Sequence, residues 1–209
     1  MRKLFTATLL LVVLFSTATN AQRTKATLTF KDGTVLRGLG RLKGSASVKF
    51  RKDKKTKATK YHFKDLEKVT FYNEDEATTY VYFSIKEKLK PKVLEEILVG
   101  EISLYRIVIR GQHAGFGIGG VGPGGFGSGG GMAFGMGHGY TIKNYYVKRA
   151  NEIEVSHLGS TSLFSKNFKK AASKYFEDCP ELVDKIQTKE YRKRDLRSII
   201  EFYNTHCKK

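Results

Sequence analysis

The stretch Ser45-Ala46-Ser47-Val48-Lys49-Phe50 decides the fold. Ala46, Val48 and Phe50 alternate with polar residues at period 2, the spacing of a half-buried β-strand. The next ten residues, Arg51-Lys52-Asp53-Lys54-Lys55-Thr56-Lys57-Ala58-Thr59-Lys60, hold six Lys/Arg, one Asp and no apolar period. Tyr61-His62-Phe63 resumes an extended pattern. The whole of 45–63 therefore reads as strand, basic hairpin tip and return strand.

Working outward, the same grammar recurs. Upstream, Ala26-Thr27-Leu28-Thr29-Phe30 is followed by Asp32-Gly33, a hairpin-type turn, and by a strand with Val35, Leu36 and Leu39. Downstream, Lys64-Asp65-Leu66-Glu67 is a turn. Val69-Thr70-Phe71-Tyr72 and Thr79-Tyr80-Val81-Tyr82-Phe83 are rich in β-branched and aromatic residues, hence strands. Residues 84–92 are charged, contain Pro91 and read as a connection. Residues 93–109 are β-prone, with Gly100 a bend, and 140–148 and 153–158 read as returning strands.

The last 45 residues change period. Phe168, Ala171, Ala172, Tyr175 and Phe176 fall on one helical face, with Ser165 as N-cap. Pro180 suits the first turn of a second helix carrying Leu182, Val183 and Ile186. Leu196, Ile199, Ile200 and Tyr203 mark a third. The expected class is α+β: an antiparallel β-sheet or barrel-like body, about three C-terminal helices and a long Gly-rich loop.

That loop is 111–139, which holds 15 of the chain's 21 glycines and no charged residue. It splits the β-rich part into 22–110 and 140–160, ahead of a helical part over 161–209. Its glycine content reads as a mobile insert or spacer dispensable for folding, and the alternative, drawn from Phe116, Ile118, Val121, Phe126, Met132, Phe134 and Met136 spaced through it, is a contact element for a partner, a membrane surface or itself. Gly115 to Gly120 and Gly122 to Gly127 match G-x-G-x-x-G only because glycine is so frequent there, and no helical pattern follows. His113, Met132, Met136 and His138 have irregular spacing for a metal site. Neither a cofactor nor a metal is expected.

The N-terminus has the layout of a secretory signal over 1–21: Arg2 and Lys3, then the apolar run Leu9 to Phe15, then small and polar residues ending in Ala21. The apolar run is shorter than the roughly 20 residues a membrane span needs. Cleavage after Ala21 is expected, with a secreted or periplasmic protein as the product. The 209-residue chain carries 38 Lys+Arg against 20 Asp+Glu, a net charge of +18, and removal of Arg2 and Lys3 leaves +16. A hydrophobic content of 40% allows a core, which excludes wholesale disorder. Two Cys exclude a disulfide-dense mini-protein and a four-cysteine zinc site.

Several pieces together resemble a group of uncharacterised secreted proteins of Bacteroidota-type bacteria. They are Phe30-Lys31-Asp32-Gly33-Thr34-Val35, Phe63-Lys64-Asp65-Leu66-Glu67-Lys68-Val69, Gly100-Glu101-Ile102-Ser103-Leu104-Tyr105-Arg106 and Tyr145-Tyr146-Val147-Lys148. The most specific piece is the tail, from Asp178-Cys179-Pro180 to Tyr203-Asn204-Thr205-His206-Cys207. The resemblance implies a compartment and an architecture but no activity, and the Gly-rich loop departs from the group's pattern.

Cys179 opens the second helix and Cys207 closes the third, so an antiparallel helix pair would set them side by side as a disulfide. The basic clusters are Arg51, Lys52, Lys54, Lys55, Lys57 and Lys60 on the hairpin tip, and Arg192, Lys193 and Arg194 between the last two helices. Each could attract phosphate or an anionic sugar, with Tyr61, Phe63 and Tyr191 near enough in sequence to add stacking. The plainer alternative is a solvated tip and a solvated helix face. No local series of catalytic residues stands out. The expected role is an exported, envelope-associated, non-catalytic protein that binds or builds structure. The alternatives are a binder of anionic polymers, such as lipopolysaccharide phosphate or extracellular nucleic acid, and an envelope enzyme without a local motif.

Overall fold

Asp32 begins the turning of the chain: its Oδ1 accepts from Thr34 N at 2.8 Å, and Gly33 at φ +85 completes the turn that joins the first two strands. The computed structural model describes residues 23–74, 76–112, 139–161 and 168–207. The chain divides into two compact units, the first ending at Ala77 and the second starting at Thr78.

In the N-terminal unit β1 (Thr24–Phe30), β2 (Val35–Leu42), β3 (Ser47–Arg51), β4 (Thr59–His62) and β5 (Leu66–Tyr72) form an antiparallel sheet. The order is β5-β1-β2-β3-β4, an open sheet rather than a barrel. A 3-10 turn at Phe63–Asp65 joins β4 to β5. Register sorts the side chains by face. Ala26 stands opposite Gly38 and Phe71, Leu28 opposite Leu36 and Val69, and Phe50 opposite Gly40 and Thr59. Ala26, Leu28, Val48, Phe50, Val69 and Phe71 of this face are buried, as are Phe63 and Leu66. The basic tip expected over 51–60 spans 52–58, between β3 and β4.

The C-terminal unit contains β6 (Ala77–Phe83), β7 (Lys92–Leu98), β8 (Ile102–Gln112), β9 (Gly139–Arg149) and β10 (Ser156–Ser160), in the order β10-β9-β8-β7-β6. Three helices follow: α1 (Phe168–Tyr175), α2 (Pro180–Gln187) and α3 (Leu196–His206). β8 and β9 pair from Ile102 opposite Arg149 to Gln112 opposite Gly139, so the expected loop of 111–139 is entered later and left earlier. The Gly-rich stretch and its candidate metal and nucleotide residues fall on 113–138, outside the described residues, as does Ser165.

The last strand starts at Ser156 rather than Ile153. Ile153 is 86% exposed, and Val155 forms a parallel bridge with Ile85 instead. One face of the sheet, with Ile102, Leu104, Val147 and Leu158, packs against Phe176, Leu182, Ile186, Leu196, Ile199, Ile200 and Tyr203 of the helical segment. Each fully buried aliphatic side chain there stabilises by roughly 1.5–3 kcal/mol. The other face buries Val81, Leu94, Tyr105 and Tyr146 with Ile85 and Val155. The fold is α+β, and no helix among the described residues is long and apolar enough to cross a membrane.

Candidate anion-binding surface

The strand register that buries Val48 and Phe50 turns the alternate residues to the opposite face of the N-terminal sheet. That face carries Lys25 on β1, Arg37 and Arg41 on β2, Lys49 and Arg51 on β3, Lys60 on β4 and Lys68 on β5. Arg41 pairs directly with Lys49, and Lys49 directly with Lys60, a row of three cations across three strands. Strands sit about 4.8 Å apart, and like charges directly opposite each other destabilise a sheet. Arg23 extends the set: burial first, then the charges of Arg51 and Arg41, lower its pKa.

No Asp or Glu stands on β1, β2, β3 or β4. Residues 23–62 hold thirteen Lys/Arg and two Asp, and both aspartates are committed to turns. Asp53 Oδ1 accepts from Lys55 N and Thr56 N at 2.8 Å each and from Thr56 Oγ1 at 2.9 Å. Those bonds, led by the Thr56 hydroxyl, hold its carboxyl below the usual range. The backbone N–H of Thr34 does the same for Asp32. Meanwhile the Nε atoms of Arg41 and Arg51 are buried without a hydrogen-bond partner. A buried, unpartnered donor is costly.

Gly38 shapes the second feature of this unit. A Cβ there would stand 2.8 Å from Phe50 Cζ and 2.9 Å from Lys52 O, so only glycine lets the 51–52 backbone come so close. The 52–58 turn consequently lies beside the start of β2. An open hollow of about 760 Å³ is lined there by Val35, Leu36, Arg37, Phe50, Arg51, Lys52, Thr56, Lys57, Thr59 and Tyr61.

Of the tip residues singled out in the sequence, Arg51, Lys52 and Lys57 line this hollow and Lys60 stands in the cationic row. Lys54 and Lys55 are exposed, and Arg51 Nη1 donates to the Lys54 carbonyl at 3.1 Å. Tyr61 lines the hollow, whereas Phe63 is buried and is not a stacking surface. Arg192, Lys193 and Arg194 belong to the other unit, at the turn before α3. Arg194 is 77% exposed beside Asp195 at 3.7 Å, Lys193 is half-buried, and Tyr191 packs edge-on to Phe202. Lys25, Arg37, Arg41 and Lys49 escaped sequence reasoning because they are scattered along the chain. Only the register gathers them.

The residues of the tail motif serve a different end. Cys179 and Cys207 form a disulfide with Cα atoms 5.6 Å apart. Both Arg149 terminal nitrogens donate to the Asp178 carboxylate, at 3.0 and 2.8 Å, and Arg149 also donates to Tyr203 Oη and to the Tyr175 carbonyl. The guanidinium carbon lies 5.2 and 5.1 Å from the Tyr175 and Tyr203 ring centres. Glu152 accepts from Arg149 N, Tyr175 Oη and Lys86 Nζ. Burial pushes Asp178 and Glu152 up, but these hydrogen bonds outweigh it and hold both carboxyls below their ordinary values. Burial, reinforced by the bond to Glu152, raises Tyr175. These groups lock the end of β9 to the helices.

Among the described residues no group of three or more His, Cys, Asp or Glu could hold a metal ion. No protein-family model, curated protein or solved structure matches the chain.

Proposed function

We propose that this protein is an exported, non-catalytic binding protein that holds an anionic polymer on the cationic sheet face of its N-terminal unit. The Arg41–Lys49–Lys60 row carries this reading. Three like charges in register cost stability, and a polyanion laid across the strands turns that cost into affinity through charge pairing and counterion release. The disulfide supports an oxidising compartment, in keeping with the N-terminal secretory layout.

The test is titration with inorganic polyphosphate at increasing NaCl. The expected result is a linear fall of log K with log salt, steep enough to report several phosphate contacts at about 0.7–0.9 per contact. Lys49→Ala combined with Lys60→Ala should weaken binding and flatten that slope. A salt-independent affinity, or one unchanged in the double variant, overturns the proposal.

A further inference from the structure

Building on the anion-binding reading, we infer that the hollow between the 52–58 turn and β2 is a pocket for a phosphomonoester carried on a flat-faced ring, a terminal or pendant group of the polymer. Its size, about 760 Å³, suits such a group, since ligand clefts run from roughly 300 to 1,000 Å³. Its lining divides by chemistry. Arg37, Arg51, Lys52 and Lys57 supply four cations, and no carboxylate lines it. Arg51 is fixed through Nη1 on the Lys54 carbonyl, while its Nε is buried without a partner.

Of the remaining six lining residues, Val35, Leu36, Phe50 and Tyr61 are apolar or aromatic, and Thr56 and Thr59 add two hydroxyls. The Tyr61 ring is held edge-on by Phe30 at 5.4 Å and by Phe50 at 6.2 Å, so its orientation is set before any ligand arrives. A bare inorganic anion would use the cations and leave this apolar part facing water. A phosphate attached to a sugar or base uses both, its charge on the cations and its ring face on Leu36 and Tyr61. The sheet-face row has no such aromatic element at its centre, so the two surfaces divide the labour: the row gives charge attraction along a polymer, and the hollow recognises one ring phosphate.

The experiment is calorimetric titration of the full chain with glucose 6-phosphate, AMP, glucose and inorganic phosphate at one salt concentration. At least one ring phosphate should bind about tenfold or more tightly than inorganic phosphate, and glucose should not bind detectably. The preference between glucose 6-phosphate and AMP tells whether the ring is a sugar or a base. Arg37→Ala with Lys57→Ala should cost about tenfold or more in ring-phosphate affinity, with an unchanged circular-dichroism melt. Lys49→Ala with Lys60→Ala should leave it within about twofold.

Equal affinity for inorganic and ring phosphates overturns the pocket. So does equal loss in the two double variants. Failure of the polymer reading would look different: polyphosphate binding would persist in the Lys49/Lys60 variant, while the ring-phosphate titration would stand on its own result.

Discussion

Asn204 holds both backbone polar groups of Ile102: its Oδ1 accepts from Ile102 N at 2.8 Å and its Nδ2 donates to Ile102 O at 2.9 Å. The side chain acts as a one-residue extension of the sheet where β8 begins, next to the register shift between β7 and β8. Gly100 makes room for it, because a Cβ there would stand 2.9 Å from Asn204 Cγ and closer still to Nδ2. Asn204→Ala should therefore cost about 1–3 kcal/mol by leaving part-buried backbone groups unmet. Gly100→Ala should also destabilise, by displacing the same amide. Urea denaturation of the single and double variants gives the coupling, and the double variant should lose clearly less than the two single losses added together. Full additivity would mean that Gly100 has some other reason to be glycine.

The Cys179–Cys207 bond ties the start of α2 to the end of α3 across a sequence separation of 28. In the chain-entropy model a loop of that length contributes about 3.5 kcal/mol. Cys179→Ser with Cys207→Ser should lower stability by that order while leaving polyphosphate binding unchanged, because the cationic face belongs to the other unit. Two freely alkylated thiols in the native protein would remove the bond altogether.

The Arg149–Asp178 pair makes stability pH-dependent on the acid side. The Asp178 carboxyl is held below its unfolded value of about 3.9, so its contribution is complete above that pH. It is lost as pH falls through the lower folded-state value. Glu152 has the same sign. The Asp178 side chain is 41% exposed, so solvent screening limits the effect, and Asp178→Asn should cost about 1–2 kcal/mol near pH 7. The variant should flatten, without abolishing, the decline of stability between about pH 4 and 2, leaving the Glu152 share. An unchanged acid profile would show that the pair is as weak as a surface ion pair.

The strands and helices were legible because each element carried its own period: Val48 and Phe50 at two residues, although Ala46 falls in the bend before β3, and Leu196, Ile199, Ile200 and Tyr203 at helical spacing. The disulfide followed from where Cys179 and Cys207 stood relative to the helix ends. The cationic face was only partly legible. The tip lysines form a run, but Lys25, Arg41 and Lys49 lie on three strands, and sequence alone does not set which residues stand opposite one another. The Arg149 cluster was illegible for the same reason. Arg149 meets Asp178 and Tyr203 only because β9 and the helices pack together, and no local motif announces a contact 29 or 54 residues away.

The β8–β9 register makes a prediction about the segment between these strands. Pairing continues to Gln112 opposite Gly139, the geometry a two-residue turn can close. Replacing 113–138 by Asn-Gly should therefore give a folded protein whose circular-dichroism spectrum and melting temperature stay close to those of the parent. Loss of cooperative unfolding in the shortened chain would show that the excised residues contribute to the core.

Lys49 offers the most direct check on the cationic row, since the two consequences of changing it have opposite signs. It stands between Arg41 and Lys60. Lys49→Glu would replace two like-charge neighbours by two attractive ones and should stabilise the N-terminal unit by about 0.2–1 kcal/mol per pair. Polyphosphate affinity should fall and its salt slope should drop by at least about one, because one cation is lost and an anion is introduced. Salt separates charge from strand propensity. A gain from relieved repulsion shrinks as NaCl rises from about 0.01 to 1 M, as the screening length falls from roughly 30 to 3 Å, whereas a propensity effect does not. Thermal melts at the two salt concentrations, paired with the polyphosphate titration, supply both readings on one variant. A variant that is destabilised at low salt would mean that the row is not repulsive, and the proposed function would lose the observation it stands on.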